Sequence, residues 1–213
     1  MEFLLLVLML ILNFAISWAN ASYVGQYWTE SKEVGGGFRL YIWAGYIMAI
    51  AGFTMVYGYI LLLLAPIILQ FAEVDHEIIM LFEQLASDLI YLFSIVTVIP
   101  TGFYIWILSL KNFWERRTLS SGITAGWNTY AQIHNTMSVA RNAPSAFGRV
   151  VEALFGGKNR SKKKDNTVIV MCAILVLIFA IFGGYFTASA IMKKADREYD
   201  MFADLQRRYP ETY

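Results

Sequence analysis

LYIWAGYIMAIAGFTMVYGYILLLLAPIILQF, residues 40–71, carries no charged side chain over its whole length. A helix of about 20 apolar residues crosses a hydrocarbon layer about 30 Å thick. Three further runs have the same character: residues 1–20, 89–110 and 168–192, uncharged except for Glu2. The chain is 58% hydrophobic and 15% charged, against about 25% charged in soluble domains. The four runs account for that deficit. They predict an all-α, polytopic integral membrane protein, one membrane domain over 1–213, with transmembrane helices near 2–20, 40–65, 89–110 and 168–192.

The quoted run is too long for one straight crossing, since at 1.5 Å per residue it would reach about 48 Å. Pro66 lacks the N–H that would bond the Leu62 carbonyl, and its ring crowds that turn. The second span is therefore expected to be long and kinked, closing near residue 65. A short segment would then turn along the outer surface.

Charge sets the expected orientation, because Lys and Arg near span ends stay on the cytoplasmic side. The stretch 111–167 holds ten Lys and Arg against three acidic residues, so it reads as a cytoplasmic loop. The stretch 73–88 has Glu73, Asp75, Glu77, Glu83 and Asp88 with no Lys or Arg, so it reads as external. Four crossings then leave both termini outside and 22–39 inside. A bacterial inner membrane is the favoured setting. Residues 3–16 resemble a signal-peptide core, but the basic segment such peptides carry is missing, so a retained helix is expected.

Small residues let helix backbones approach in lipid, where burial alone holds nothing together. Gly45, Ala49 and Gly52 share one face of the second span; Ala180, Gly184 and Ala188 share one face of the last. These two stripes are expected to meet. The lone cysteine, Cys172, lies inside the last run and forms no disulfide within the chain. No Asp, Glu, Lys, Arg or His occupies the middle of any run, which argues against a charge-lined or proton-coupled pathway. Ser94, Thr97 and Thr101, beside Pro100, are the neutral polar groups that would line a pore.

Outside the spans, residues 73–88 read as an acidic helix leading into the third span. His76, Glu83 and Asp88 would form a partner-facing surface there, or, in a lipid-acting enzyme, the reactive groups. Glu73 and His76 have the Glu-x-x-His spacing of carboxylate-bridged metal bundles, which need the motif twice; His134 is the only other histidine, and no metal is expected. The loop 111–167 carries two amphipathic patterns. Ile123, Trp127, Tyr130, Ile133 and Met137 form the first. Asn142-Ala143-Pro144-Ser145 reads as a new helix start, with Phe147, Val150, Val151 and Leu154 as its apolar face and Gly156-Gly157 as its stop. Both are expected to lie on the inner leaflet, aided by lysines near anionic lipid. The tail 193–209 keeps helical spacing in Ala195, Tyr199, Phe202, Leu205 and Tyr209. Tyr199, Phe202 and Leu205 would form a second partner surface.

The chain has no Gly-rich phosphate loop, no Ser/His/Asp grouping and no CxxC. No cofactor and no nucleic-acid partner is expected. The expectation is a non-enzymatic membrane subunit, holding other membrane subunits or copies of itself through helix packing. An oligomeric pore or membrane-permeabilising effector is the alternative.

Overall fold

A computed structural model describes residues 2–155 and 160–208, with side chains described over 4–155 and 167–204. Every element in the described residues is an α-helix: α1 (Glu2–Gln26), α2 (Trp28–Val34), α3 (Gly36–Phe71), α4 (His76–Arg116), α5 (Leu119–Phe155) and α6 (Arg160–Arg208). Four of them, α1, α3, α4 and α6, are long and apolar enough to cross a membrane. Their outward faces carry Leu4, Leu8, Met9, Val96, Phe103, Phe179 and Phe182, all largely exposed. Exposed apolar surface on that scale suits a lipid solvent.

The helices run alternately up and down. α1 and α3 are antiparallel, with Val24 against Gly45 and Ser17 against Gly52. α3 and α4 are antiparallel, with Ile90 against Gly58 and the Tyr104 hydroxyl donating to the Gly37 carbonyl at 2.9 Å. α3 and α6 are antiparallel, joined by Tyr46–Ser189 and Tyr57–Thr187 hydroxyl bonds of 2.6 and 2.8 Å. α6 therefore runs parallel to α4, and one cluster joins Phe82, Leu85 and Ala86 of α4 to Ile169 and Ala173 of α6.

The turns explain these directions. Asp75 caps α4, its carboxylate accepting from the Glu77 N–H at 3.0 Å. At the other end of α4, Arg117 takes a left-handed conformation (φ 51°) and its N–H returns to the Phe113 carbonyl. Thr118 and Ser121 then cap α5 reciprocally, each hydroxyl accepting from the other's N–H. A link this short makes neighbouring helices antiparallel, and α5 folds straight back along α4.

Three expectations are corrected here. α3 does not close at residue 65; it continues through Pro66 to Phe71. One lost backbone bond does not stop a helix whose next turns stay packed, and Leu62, Ala65 and Leu69 all lie against the α4–α6 cluster. The loop 111–167 is not two helices separated at Pro144. α5 is one helix of 37 residues with Pro144 inside it, because the α4-facing side is continuous across the proline: Ala125 and Gln132 are buried before it, Ala146 and Val150 after it. The expected stop at Gly156-Gly157 lies outside the described residues. Finally, the tail does not lie opposite residues 22–39. Thr29 donates to Asp196 at 3.0 Å and the Tyr27 and Tyr199 rings are 6.4 Å apart. The tail, α2 and the α4–α5 turn share one end of the bundle, here the Arg116 end. The α3–α4 turn, the end of α5 and the start of α6 share the other, the Asp88 end.

Candidate functional site

Three places in the bundle carry the chemistry the sequence singled out. The first is the packing seam around α3. Gly184 of α6 is pressed against backbone: a methyl added there would stand 2.8 Å from the Ile50 carbonyl oxygen and 2.8 Å from the Thr54 nitrogen. Ala49, Ala180 and Ala188 are fully buried. Gly45 and Gly52 were expected to meet α6, and this is corrected: they receive Val24 and Ser17 of α1. On one helix, positions 45 and 52 stand beside 49 yet open toward a second neighbour. A stripe of small residues fixes a close contact without choosing the helix that fills it. The Thr54 hydroxyl, fully buried opposite Gly184, has no hydrogen-bond partner among the described residues.

Tyr46–Ser189 and Tyr57–Thr187 lock the same seam. Hydroxyl bonds between helices in a membrane contribute on average about 0.6 kcal/mol, with a maximum near 1.7. A double-mutant cycle of Tyr46→Phe and Ser189→Ala in detergent should return a coupling energy inside that range. A value near zero would mean that the tyrosine acts only by filling volume.

The second place is the contact between α4 and α5, which is polar along its length. Trp106 Nε1 donates to Thr129 Oγ1 at 2.8 Å, and the Gln132 amide lies over Gly102. Ser94, Thr97 and Thr101 each donate back to their own helix, to the carbonyls of Ile90, Phe93 and Thr97 at 2.8, 2.9 and 2.6 Å. Their protons are thereby occupied, which is the ordinary way a Thr or Ser sits inside a helix.

At the Asp88 end this contact closes on an ion pair. Arg149 Nε and one terminal nitrogen donate to Asp88 Oδ2 and Oδ1 at 2.7 and 2.6 Å, a two-pronged arrangement. The Asp88 side chain is 6% exposed and that of Arg149 45%. The hydrogen bonds that Arg149 donates to Asp88 push the already high pKa of the guanidinium further up, so it stays charged. Asp88 was expected on an exposed partner surface with His76 and Glu83; instead both its oxygens are engaged. His76 is exposed and Glu83 half-buried. The pairing was not legible beforehand because 61 positions separate Asp88 from Arg149 and charge counting assigned them to opposite sides. Among the described residues no group of three His, Cys, Asp or Glu side chains gathers to hold a metal.

Beside the ion pair is a cleft of about 370 Å³ between α4, α5 and α6. Leu81, Leu85, Ala153, Ile169 and Val170 form its apolar walls; Gln84, Asp88, Arg149 and Glu152 are its polar groups.

The third place is the C-terminal part of α6. Ala195 is the last fully packed position; Tyr199, Met201 and Phe202 beyond it are 46%, 56% and 55% exposed. The Leu205 side chain and Tyr209 lie outside the described residues.

Compared with known proteins, the chain matches no family model, no curated protein and no solved structure.

Proposed function

We propose that this chain is a non-enzymatic integral membrane subunit that holds another membrane subunit, or a second copy, at the Arg116 end of its bundle. The observation that carries this reading is the projecting part of α6. Its aromatic side chains Tyr199 and Phe202 stay exposed, at an end populated by charged residues, where lipid tails would not cover them. The small-residue stripes are consumed within the chain, between α1, α3 and α6, so the tail is the surface left for assembly. Phe202→Glu should strip the associated chain from the gently extracted complex while the bundle itself remains folded. Native mass spectrometry reads this directly. An unchanged complex would sink the proposal, as would a wild-type protein that is a bare monomer.

The orientation we propose rests on the charges at the two ends. The Arg116 end gathers Lys32, Arg39, Lys111, Arg116, Arg117, Lys193 and Lys194, and the α3–α4 turn has only acidic charges. The positive-inside rule makes the Arg116 end cytoplasmic. The C-terminus is then inside and the N-terminus outside. Arg149 and, beyond it in the sequence, Lys158, Arg160 and Lys162-Lys163-Lys164 pull the other way.

We read α5 as a fifth crossing. What supports this is that α4 and α6 run parallel, and that among the described residues α5 is the element returning along the bundle between them. Residues 118–140 contain no Asp, Glu, Lys or Arg, and 23 helical residues extend about 35 Å, enough for the hydrocarbon core. Ile123, Trp127, Tyr130, Ile133 and Met137, expected to lie on a leaflet surface, are exposed along the outer side of α5 and would meet acyl chains instead. Its polar side, with Thr129 and Gln132, turns to α4. That polar seam is the observation favouring a pore as the second reading, which ion flux in liposomes would test.

A further inference from the structure

We propose that the cleft beside Asp88 and Arg149 binds one phospholipid by its headgroup, with the phosphate on Arg149; the inference rests on the membrane reading above. The cleft stands at the edge of the hydrocarbon layer. Asp88 is the last charge before the uncharged run of α4, and Ile169 and Val170 open that of α6. A ligand arriving there comes from the bilayer side. Its volume of about 370 Å³ lies in the range of small-molecule sites, about 300–1,000 Å³.

The wall chemistry is divided as an amphiphile requires. Leu81, Leu85, Ile169 and Val170 offer an apolar slope for the first acyl carbons. Asp88 holds two of the guanidinium N–H donors. A guanidinium has five, and the half-exposed side chain of Arg149 leaves the others for phosphate oxygens. The nearly buried Asp88 keeps that plane fixed. Glu152 is three residues on from Arg149, hence on the same helix face, and among the described residues it is the one further charge lining the cleft. It is placed for an ammonium group. A phosphate flanked by an amine is the headgroup of a zwitterionic ethanolamine phospholipid.

The test uses the full-length protein, stripped of lipid in detergent and then given ethanolamine or glycerol phospholipid in mixed micelles. Native mass spectrometry counts the lipid retained. One ethanolamine phospholipid per chain is expected, preferred at least tenfold over the glycerol lipid. Ala153→Phe, which fills the cleft and keeps both residues of the ion pair, should abolish retention. Glu152→Gln should erase the preference but keep a bound lipid. Arg149→Ala should lose both, and its helicity is checked by circular dichroism because it strands Asp88. Retention unchanged in Ala153→Phe would overturn the proposal, as would no lipid on the wild type. Displacement of the lipid by millimolar inorganic phosphate would instead assign the site to a soluble anion and overturn the lipid source. Failure of the partner reading is seen separately, in the Phe202→Glu complex.

Discussion

Cysteines placed at Thr118 and at Glu152 should react with a membrane-impermeant maleimide from opposite sides. Thr118 lies in the two-residue turn at the Arg116 end, and Glu152 lines the cleft at the Asp88 end. The background is Cys172→Ala, because the native thiol is exposed on α6. In oriented vesicles the two positions should give complementary patterns, with at least a tenfold contrast in labelling rate. Glu33→Cys should follow Thr118, and Asp75→Cys should follow Glu152. If α5 instead lay on one leaflet, Thr118 and Glu152 would react from the same side. That result would remove the fifth crossing and restore the four-crossing order the charges suggest. It would also require α4 and α6 to be antiparallel, against the cluster that joins Phe82 and Ala86 to Ile169 and Ala173.

Gly184→Ala should destabilise the bundle by about 1–3 kcal/mol, the usual cost of overpacking a filled interior. The reason lies in what the added carbon meets. The Thr54 hydroxyl, the nearest atom, can rotate away, but the Ile50 carbonyl and Thr54 nitrogen are backbone, so α3 and α6 must still separate. Tyr46–Ser189 and Tyr57–Thr187 would be strained with them. Gly148→Ala on α5 is the control, since an added methyl there meets nothing within 4 Å. It should be neutral or stabilising by about 0.5–1 kcal/mol, the helix cost of glycine relative to alanine. Thermal unfolding in one detergent reads both. Equal shifts for the two would mean that the α3–α6 contact is looser than the geometry requires.

The four apolar helices were legible in the sequence because their signal is composition, summed over 20 residues or more. The acidic entry to α4 was legible too, since Asp75 and Glu77 suit a helix start. α5 was not. Its apolar residues recur at helical spacing, which establishes a helix, but Asn128, Gln132 and Asn135 keep its hydropathy below that of the four apolar runs, so its return along α4 was not legible. Hydropathy scores a helix as though lipid surrounded it, whereas here Gln132 is buried against α4. Pro144 misled for a related reason: the local rule reads one lost hydrogen bond as a boundary, and packing on both sides of it overrides that rule. Gly45, Ala49, Gly52, Ala180, Gly184 and Ala188 were legible as small-residue faces. Their partners were not, because spacing gives a face and not the neighbour across it. The Asp88–Arg149 pair depends entirely on how α5 returns, so it became visible only with the fold.

α6 has a mechanical meaning beyond its packing. It has 49 residues, about 73 Å of continuous helix. Ile169 at its start borders the cleft, Gly184 presses on α3 at mid-length, and Phe202 stands free near its end. Between them α6 is held without a gap, by Thr187 and Ser189 on α3, by Met192 and Ala195 against Gly25, and by Asp196 on Thr29. Only the part from Ala195 to Phe202, about 10 Å of helix, stands clear of the bundle. α6 is therefore a strut rather than an arm: its exposed tip keeps a fixed place relative to α1 and α2.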